Sequence, residues 1–445
     1  MKAFSWSLWV LVSAAILGYF GWEMIYEKQK PNFLPGAVSH GHYQIELACD
    51  ACHTEPFGGG DVLQQACVNC HDDELKTSLD SHPRKKFTDP RNAALLEILD
   101  ARYCTSCHLE HQASMISDMG VSLPKDYCFH CHQEIGEDRE SHKDLTYESC
   151  QSAGCHNYHD NRALYENFLE KHLDDPDHLT SVTKPADFYG ENIKQLKNLL
   201  KLADHPLNEP DADIRNNESS NDPSILNQWS HSSHAAAGVN CSQCHGQGEA
   251  FVASPPKENC ANCHEAEHTT FLKGKHGMRQ AADLEAMTPQ HSKLPMKDTN
   301  SSSLGCNSCH KAHAFETRFA SVEACISCHN DQHTQNYKMS KHYELYEMQN
   351  DKGVSCATCH MPKVEMDSQG IQGTRIQHNQ NDTLRPNEKM IRPVCLNCHG
   401  LQFSLNALAD KALIERNFNG LPNIHVESLD WVRKRHQGDN EKGLY

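Results

Sequence analysis

Every cysteine of this 445-residue chain lies in a pattern suited to covalent haem attachment. Ten sets read Cys-x-x-Cys-His: Cys49, Cys52 and His53; Cys67, Cys70 and His71; Cys104, Cys107 and His108; Cys128, Cys131 and His132; Cys241, Cys244 and His245; Cys260, Cys263 and His264; Cys306, Cys309 and His310; Cys325, Cys328 and His329; Cys356, Cys359 and His360; Cys395, Cys398 and His399. An eleventh is stretched: Cys150, Cys155 and His156. In such a set two thiols add across the vinyl groups of a haem, and the adjacent imidazole binds the iron from the proximal side. One isolated set could be half of a zinc site or a redox pair, but neither requires His directly after the second Cys. Eleven sets with no cysteine left over point to eleven covalently bound haem c groups and to no disulfides.

The second axial ligand decides what each iron can do. Filled, the site carries electrons; open, it binds a small molecule. The chain has 32 His, well beyond the eleven proximal ones. Candidate distal ligands near the earlier motifs are His40, His42, His82, His111, His142, His159 and His172. Near the later motifs they are His231, His234, His268, His276, His291, His313, His333, His342 and His378. His111 and His159 each follow a proximal His by three residues, a position suited to ligating a neighbouring haem. His178, His205, His425 and His436 read as solvated. No residue is singled out as catalytic, and no phosphate loop, dinucleotide fingerprint or nucleophile elbow is present.

The elements that must hold these groups are short. Only 38% of residues are hydrophobic, low for a globular protein of this length. Porphyrins make up the deficit, so the expected fold is mainly α with much irregular structure, little sheet, a haem-dominated core and an apo-protein that does not fold. Covalent attachment takes place outside the cytoplasm, so the chain must be exported. The run from Phe4 to Tyr26 carries one charge, Glu23, and is long enough to span about 30 Å of hydrocarbon. Glu27, Lys28, Gln29 and Lys30 follow it with no small-x-small cleavage site, so an uncleaved N-terminal transmembrane helix is expected in place of a signal peptide. The net charge of −18 argues against nucleic acid and suits a periplasmic surface meeting a positively charged redox protein.

The motifs fall into two groups. Residues 1–30 read as the membrane anchor, 31–173 as a five-haem domain, 174–228 as an acidic connector and 229–445 as a six-haem domain with a C-terminal helix. The connector is rich in Asp, Asn and Pro, but Ile193, Leu196, Leu199, Leu200 and Leu202 predict one helix inside it. Leu401, Phe403, Leu405, Leu408, Leu413 and Ile414 predict helix packed on the last haem.

Residues 230–415 resemble the multihaem core of the hydroxylamine oxidoreductase family. The carriers are Cys306, Cys309, His310 with His313 and Phe315; Glu323, Cys325, Cys328 and His329; Tyr337 to His342; Cys356, Cys359, His360 and Met361; His378 and Asn379; Cys395, Cys398 and His399; and Lys275, His276 and Gly277. The resemblance implies a largely helical fold with closely packed haems and distal roles for His313, His333, His342 and His378. In that family a further motif precedes the one matching Cys306. Residues 293–305 contain no Cys here, and only residues 400–445 follow His399, too few for the family's cross-linking extension. Hydroxylamine oxidation is therefore not expected. Residues 40–172 more loosely resemble class III and related small multihaem cytochromes, through Cys104 to His111 and the stretched motif.

Together these observations favour a respiratory electron relay on the periplasmic side of a bacterial inner membrane. It would pass electrons between a donor, with quinol a candidate, and a periplasmic or membrane redox protein. The alternative is a terminal reductase of a nitrogen or sulfur oxyanion at one open iron. Whether the chain is an enzyme stays open at this level.

Overall fold

The computed structural model describes residues 2–26, 32–55, 58–116, 120–124, 126–143, 158–160, 164–183, 188–211, 222–297, 303–311, 313–350, 352–368, 370–384 and 387–442. The stretched motif of Cys150, Cys155 and His156 lies outside them. The described chain is mainly helical, and most helices are a few turns or less. The strands described form one antiparallel hairpin, β1 (Lys363–Ser368) with β2 (Ile371–Ile376), in which Lys363 faces Ile376 and Ser368 faces Ile371.

The chain forms two compact units, residues 1–132 and 133–445. The first begins with the helix Lys2–Tyr26. Its window Ser5–Glu23 is apolar enough to cross a membrane, and Trp6, Trp9, Leu11 and Leu17 all point outward. The one charge in that window, Glu23, is buried and satisfied by Asn32, which donates to it from its backbone N–H and its side-chain amide at 2.7 Å each. Beyond the helix, few apolar side chains are buried: Val38, Ala48, Ala66, Val121 and Tyr127. That is too little to hold the unit together by side-chain burial alone.

The second unit has one substantial side-chain core. Leu164, Leu169, Met390, Ile391, Leu401, Leu405, Leu408, Leu429 and Val432 pack together there. The helix Leu401–Ala409 supplies Leu401, Leu405 and Leu408, spaced to share one face. The helix Ser428–Lys442 closes over the helix Glu166–Lys171, with Arg435 Nε on Glu166 Oε1 at 2.6 Å and Arg433 donating to Leu173 O at 2.9 Å. The helix expected within 174–228 spans Phe188–Leu200 and packs Phe188 and Leu196 on Ile371 of β2. Gly373 of β2 leaves room for Phe188: a Cβ there would come within 2.4 Å of the ring.

Candidate haem sites

Each described motif sits on one helical turn. The backbone N–H of the motif His closes on the carbonyl of the first Cys, as in His53 to Cys49 at 2.7 Å, His108 to Cys104 at 2.8 Å, His264 to Cys260 at 2.8 Å and His399 to Cys395 at 2.8 Å. A turn places positions i, i+3 and i+4 on one face, so two thiols and an imidazole emerge together. Two of these turns are fixed by capping boxes, Asn240 with Gln243 before Cys241 and Ser355 with Thr358 before Cys356.

Eight motif His face a His from outside the motifs. The ring centroids are 5.9 Å apart for His71 and His42, 6.0 Å for His132 and His82, 6.0 Å for His245 and His313, and 5.9 Å for His264 and His234. They are 6.4 Å apart for His310 and His378, 6.2 Å for His329 and His276, 6.0 Å for His360 and His333, and 6.2 Å for His399 and His342. A metal–imidazole bond is about 2 Å and the ring centroid lies about 1.1 Å behind the nitrogen, so two imidazoles on opposite sides of one iron have centroids about 6.2 Å apart. The eight spacings match that value. Among the described residues no three His, Cys, Asp or Glu side chains converge on one point, as a zinc site would need.

The Nδ1 atoms support the same fit. A ligating His usually donates Nδ1–H to a carbonyl or carboxylate, which leaves Nε2 for the metal. His245 donates to Val252 O at 2.8 Å, His108 to Gly120 O at 2.7 Å, His378 to Ile376 O at 3.0 Å, His333 to Ile414 O at 2.5 Å and His399 to Asp177 O at 3.2 Å. His42 donates to Glu110 Oε1 at 2.6 Å. Burial pushes Glu110 up, but its hydrogen bonds from His42 and the Ser39 N–H outweigh this and hold it at about 2. One contact runs the other way: His333 Nε2 accepts from Asn417 at 3.1 Å. Burial, with neighbouring His, pushes His234, His276, His310, His342 and His360 down to about 4, which keeps them neutral as ligation requires. These residues fit covalent haem.

Successive motifs are neighbours in space. In the first unit Cys52 lies near Cys70, Cys67 hydrogen-bonds with Cys104, and Cys107 lies near Cys131. In the second, Cys244 lies near Cys260 and Cys263, Cys260 hydrogen-bonds with Cys306, and Cys309 lies near Cys325 and Cys328. Cys325 hydrogen-bonds with Cys356, and Cys359 lies near Cys395 and Cys398. Each unit thus arrays its described motifs in chain order.

The other candidate ligands make the following contacts. His40 packs on Tyr43, His111 donates to Gly36 O at 3.0 Å, and His159 packs on Tyr158. His142 ends a short 3₁₀ turn, and His172 pairs with Asp175 at 2.6 Å. His231 donates to Asn227 O, His291 caps onto Thr288, and His268 has a buried Nε2 with no hydrogen-bond partner. His425 is exposed and pairs with Asp430. His178 is exposed as expected, yet its ring lies 4.9 Å from that of His399 and its backbone bridges to His399. Sequence reasoning placed it in solvent because its acidic surroundings read as linker. Phe403 stacks on His399 at 4.8 Å, so the tail helix does pack on the last motif.

A cytochrome c3 family model matches residues 41–133 and again residues 233–330. No curated protein matches the chain. The two matches support a multihaem c-type cytochrome with covalently bound haem c, a class that suggests electron transfer.

The two matched stretches also repeat one another. His42 precedes Cys49 by seven residues, as His234 precedes Cys241. His42 faces the second motif His of its stretch, His71, and His234 faces the second of its own, His264. His82 faces the fourth, His132, as His276 faces His329. His111 and His313 each follow the third motif, both with left-handed backbone, φ 62° and 68°.

Proposed function

We propose that this protein is a membrane-anchored periplasmic cytochrome with eleven covalent haems that relays electrons in respiration, from a donor such as quinol to a redox protein. The eight facing His pairs carry this reading. Once bound, each haem supplies a one-electron iron couple. At the eight motifs with a facing His the chain would supply imidazoles to both sides of the iron, which would close it to small molecules and favour electron transfer over catalysis. Motif turns set neighbour to neighbour in chain order support a continuous path within each unit. The repeat extends the assignment: His313 faces His245, the first motif of its stretch, so His111 is the counterpart ligand for His53.

The outward apolar face of the helix Lys2–Tyr26 supports the anchor, and the need for export to attach haem supports the periplasm. The pairs of His313, His333, His342 and His378 agree with the roles implied by the resemblance of residues 230–415 to the hydroxylamine oxidoreductase core. The division into a five-haem and a six-haem group, joined by 174–228, belongs to the same proposal.

The test is a count of spin states in the purified holoprotein by electron paramagnetic resonance, followed by mixing of reduced protein with candidate acceptors. Low-spin iron throughout, with fast reoxidation by an oxidised multihaem protein and slow reoxidation by nitrite, hydroxylamine or sulfur oxyanions, is the expected result. A high-spin iron that reduces one small acceptor rapidly, and is blocked by cyanide, would replace the relay with a terminal reductase.

A further inference from the structure

His42 and His234 hold the same place in the repeat but have opposite surroundings. His42 Nδ1 donates to Glu110 Oε1 at 2.6 Å, and Glu110 Oε2 is fixed by the Ser39 N–H at 2.7 Å. The ring facing it, His71, has its own carboxylate, Glu74 Oε2 at 3.1 Å. His234 Nδ1 is buried with no hydrogen-bond partner, and its ring packs edge-on to Phe315 at 4.3 Å. The ring facing it, His264, meets the neutral hydroxyl of Tyr189 at 2.6 Å. That hydroxyl donates in turn to Glu267 at 2.9 Å and accepts from Arg375 at 3.3 Å. Arg375 is buried and lies 3.6 Å from Glu267, so that carboxylate, 4.0 Å from His264 Nδ1, is matched by a cation.

A carboxylate on Nδ1 draws the imidazole toward imidazolate, strengthens Nε2 as a donor and favours ferric over ferrous iron. An imidazole with no acceptor does the opposite, and so does a buried guanidinium. We propose that Glu110 tunes the His42–His71 iron to a low potential, below that of its repeat counterpart at His234–His264. The proposal rests on the bis-His reading above and adds a direction: the second unit's site takes an electron before the first unit's does. Glu110 acts through His42 and is a positioning residue.

The experiment is a spectroelectrochemical titration of the full holoprotein, with low-spin signals followed by electron paramagnetic resonance. Glu110→Gln is expected to raise one midpoint by at least a tenfold change in its ferrous/ferric ratio, about 59 mV for one electron. The other midpoints and the low-spin count should hold. Glu110→Asp, which keeps the charge, should raise that midpoint by less than Glu110→Gln does. His42→Met marks the His71 iron and His234→Met the His264 iron, and in the His42→Met background Glu110→Gln should have no further effect. An unshifted midpoint in Glu110→Gln, a shift that persists without His42, or a wild-type midpoint lost in His42→Met that lies above the one lost in His234→Met would each overturn the proposal while leaving the relay intact. Loss of haem from Cys67 and Cys70 in the wild type, or a His42→Met variant with unchanged iron signals, would overturn the ligand reading itself.

Discussion

Replacing His313 with Ala should open a distant iron and spare the near one. His313 lies three residues past His310, so a local reading would tie it to that motif. Its ring instead lies parallel to that of His245, 6.0 Å away with an interplanar angle of 12°. His310 faces His378 at 6.4 Å and should be undisturbed. Truncation removes one axial imidazole, so one iron per chain becomes five-coordinate when reduced, about one in eleven if every motif is loaded. The dithionite-reduced variant should bind one equivalent of carbon monoxide above the wild type. The resonance lost should also be identifiable. Near-parallel imidazoles give a rhombic low-spin signal, whereas near-perpendicular pairs such as His264 with His234 at 87° give a signal with one very large g value. The variant should lose the rhombic signal. No carbon monoxide uptake, or uptake that disappears when His310 and not His245 is also replaced, would refute the pairing.

Intact-mass measurement should show eleven haems with no thiol open to alkylation; a mass for ten, with Cys150 and Cys155 alkylated, would remove the stretched motif from the set. Periplasmic extraction without detergent should leave the protein in the membrane, and a soluble form starting near Pro31 or later would remove the anchor. Hydroxylamine should not be oxidised, because residues 293–305 lack the expected motif; steady turnover with hydroxylamine as electron donor would contradict this. Burial raises Glu388 above its ordinary pKa, and its Oε2 has no hydrogen-bond partner. A raised carboxyl favours the protonated form when folded, so its contribution is present at acid pH and is lost as pH rises through the folded pKa. Glu388→Gln should therefore raise the unfolding temperature at about pH 7.5 and lose that advantage below about pH 4, and a gain independent of pH would refute the assignment.

The motif sets were legible because thiol addition dictates a contiguous pattern, and the described ones each fold as a helical turn. His313, His333, His342 and His378 were singled out through the resemblance, but not the motif His each one faces, since His245 and His313 meet only after the chain between them folds. His178 is exposed, as the linker composition of Asp174, Asp175, Pro176 and Asp177 implied, but its bridge to His399 leaves no local trace in the sequence. Glu110 had a visible signal, a carboxylate between His108 and His111, but its target His42 lies 68 residues upstream. The helix Phe188–Leu200 was legible from apolar spacing; that Tyr189 would reach His264 was not.

The pairing of the helix Glu166–Lys171 with the helix Ser428–Lys442 sets a schedule for maturation. The core of the second unit joins Leu164 and Leu169 to Leu429 and Val432, so it cannot close before the segment carrying Leu429 and Val432 is available. Contacts of such long sequence separation form late. Until then the core beside the motifs between Cys241 and His399 is open, which would leave their thiol pairs within reach for haem attachment. The long-range bonds described in the first unit span less chain, 75 residues from His111 to Gly36 against 269 from Arg435 to Glu166, so that unit can close sooner.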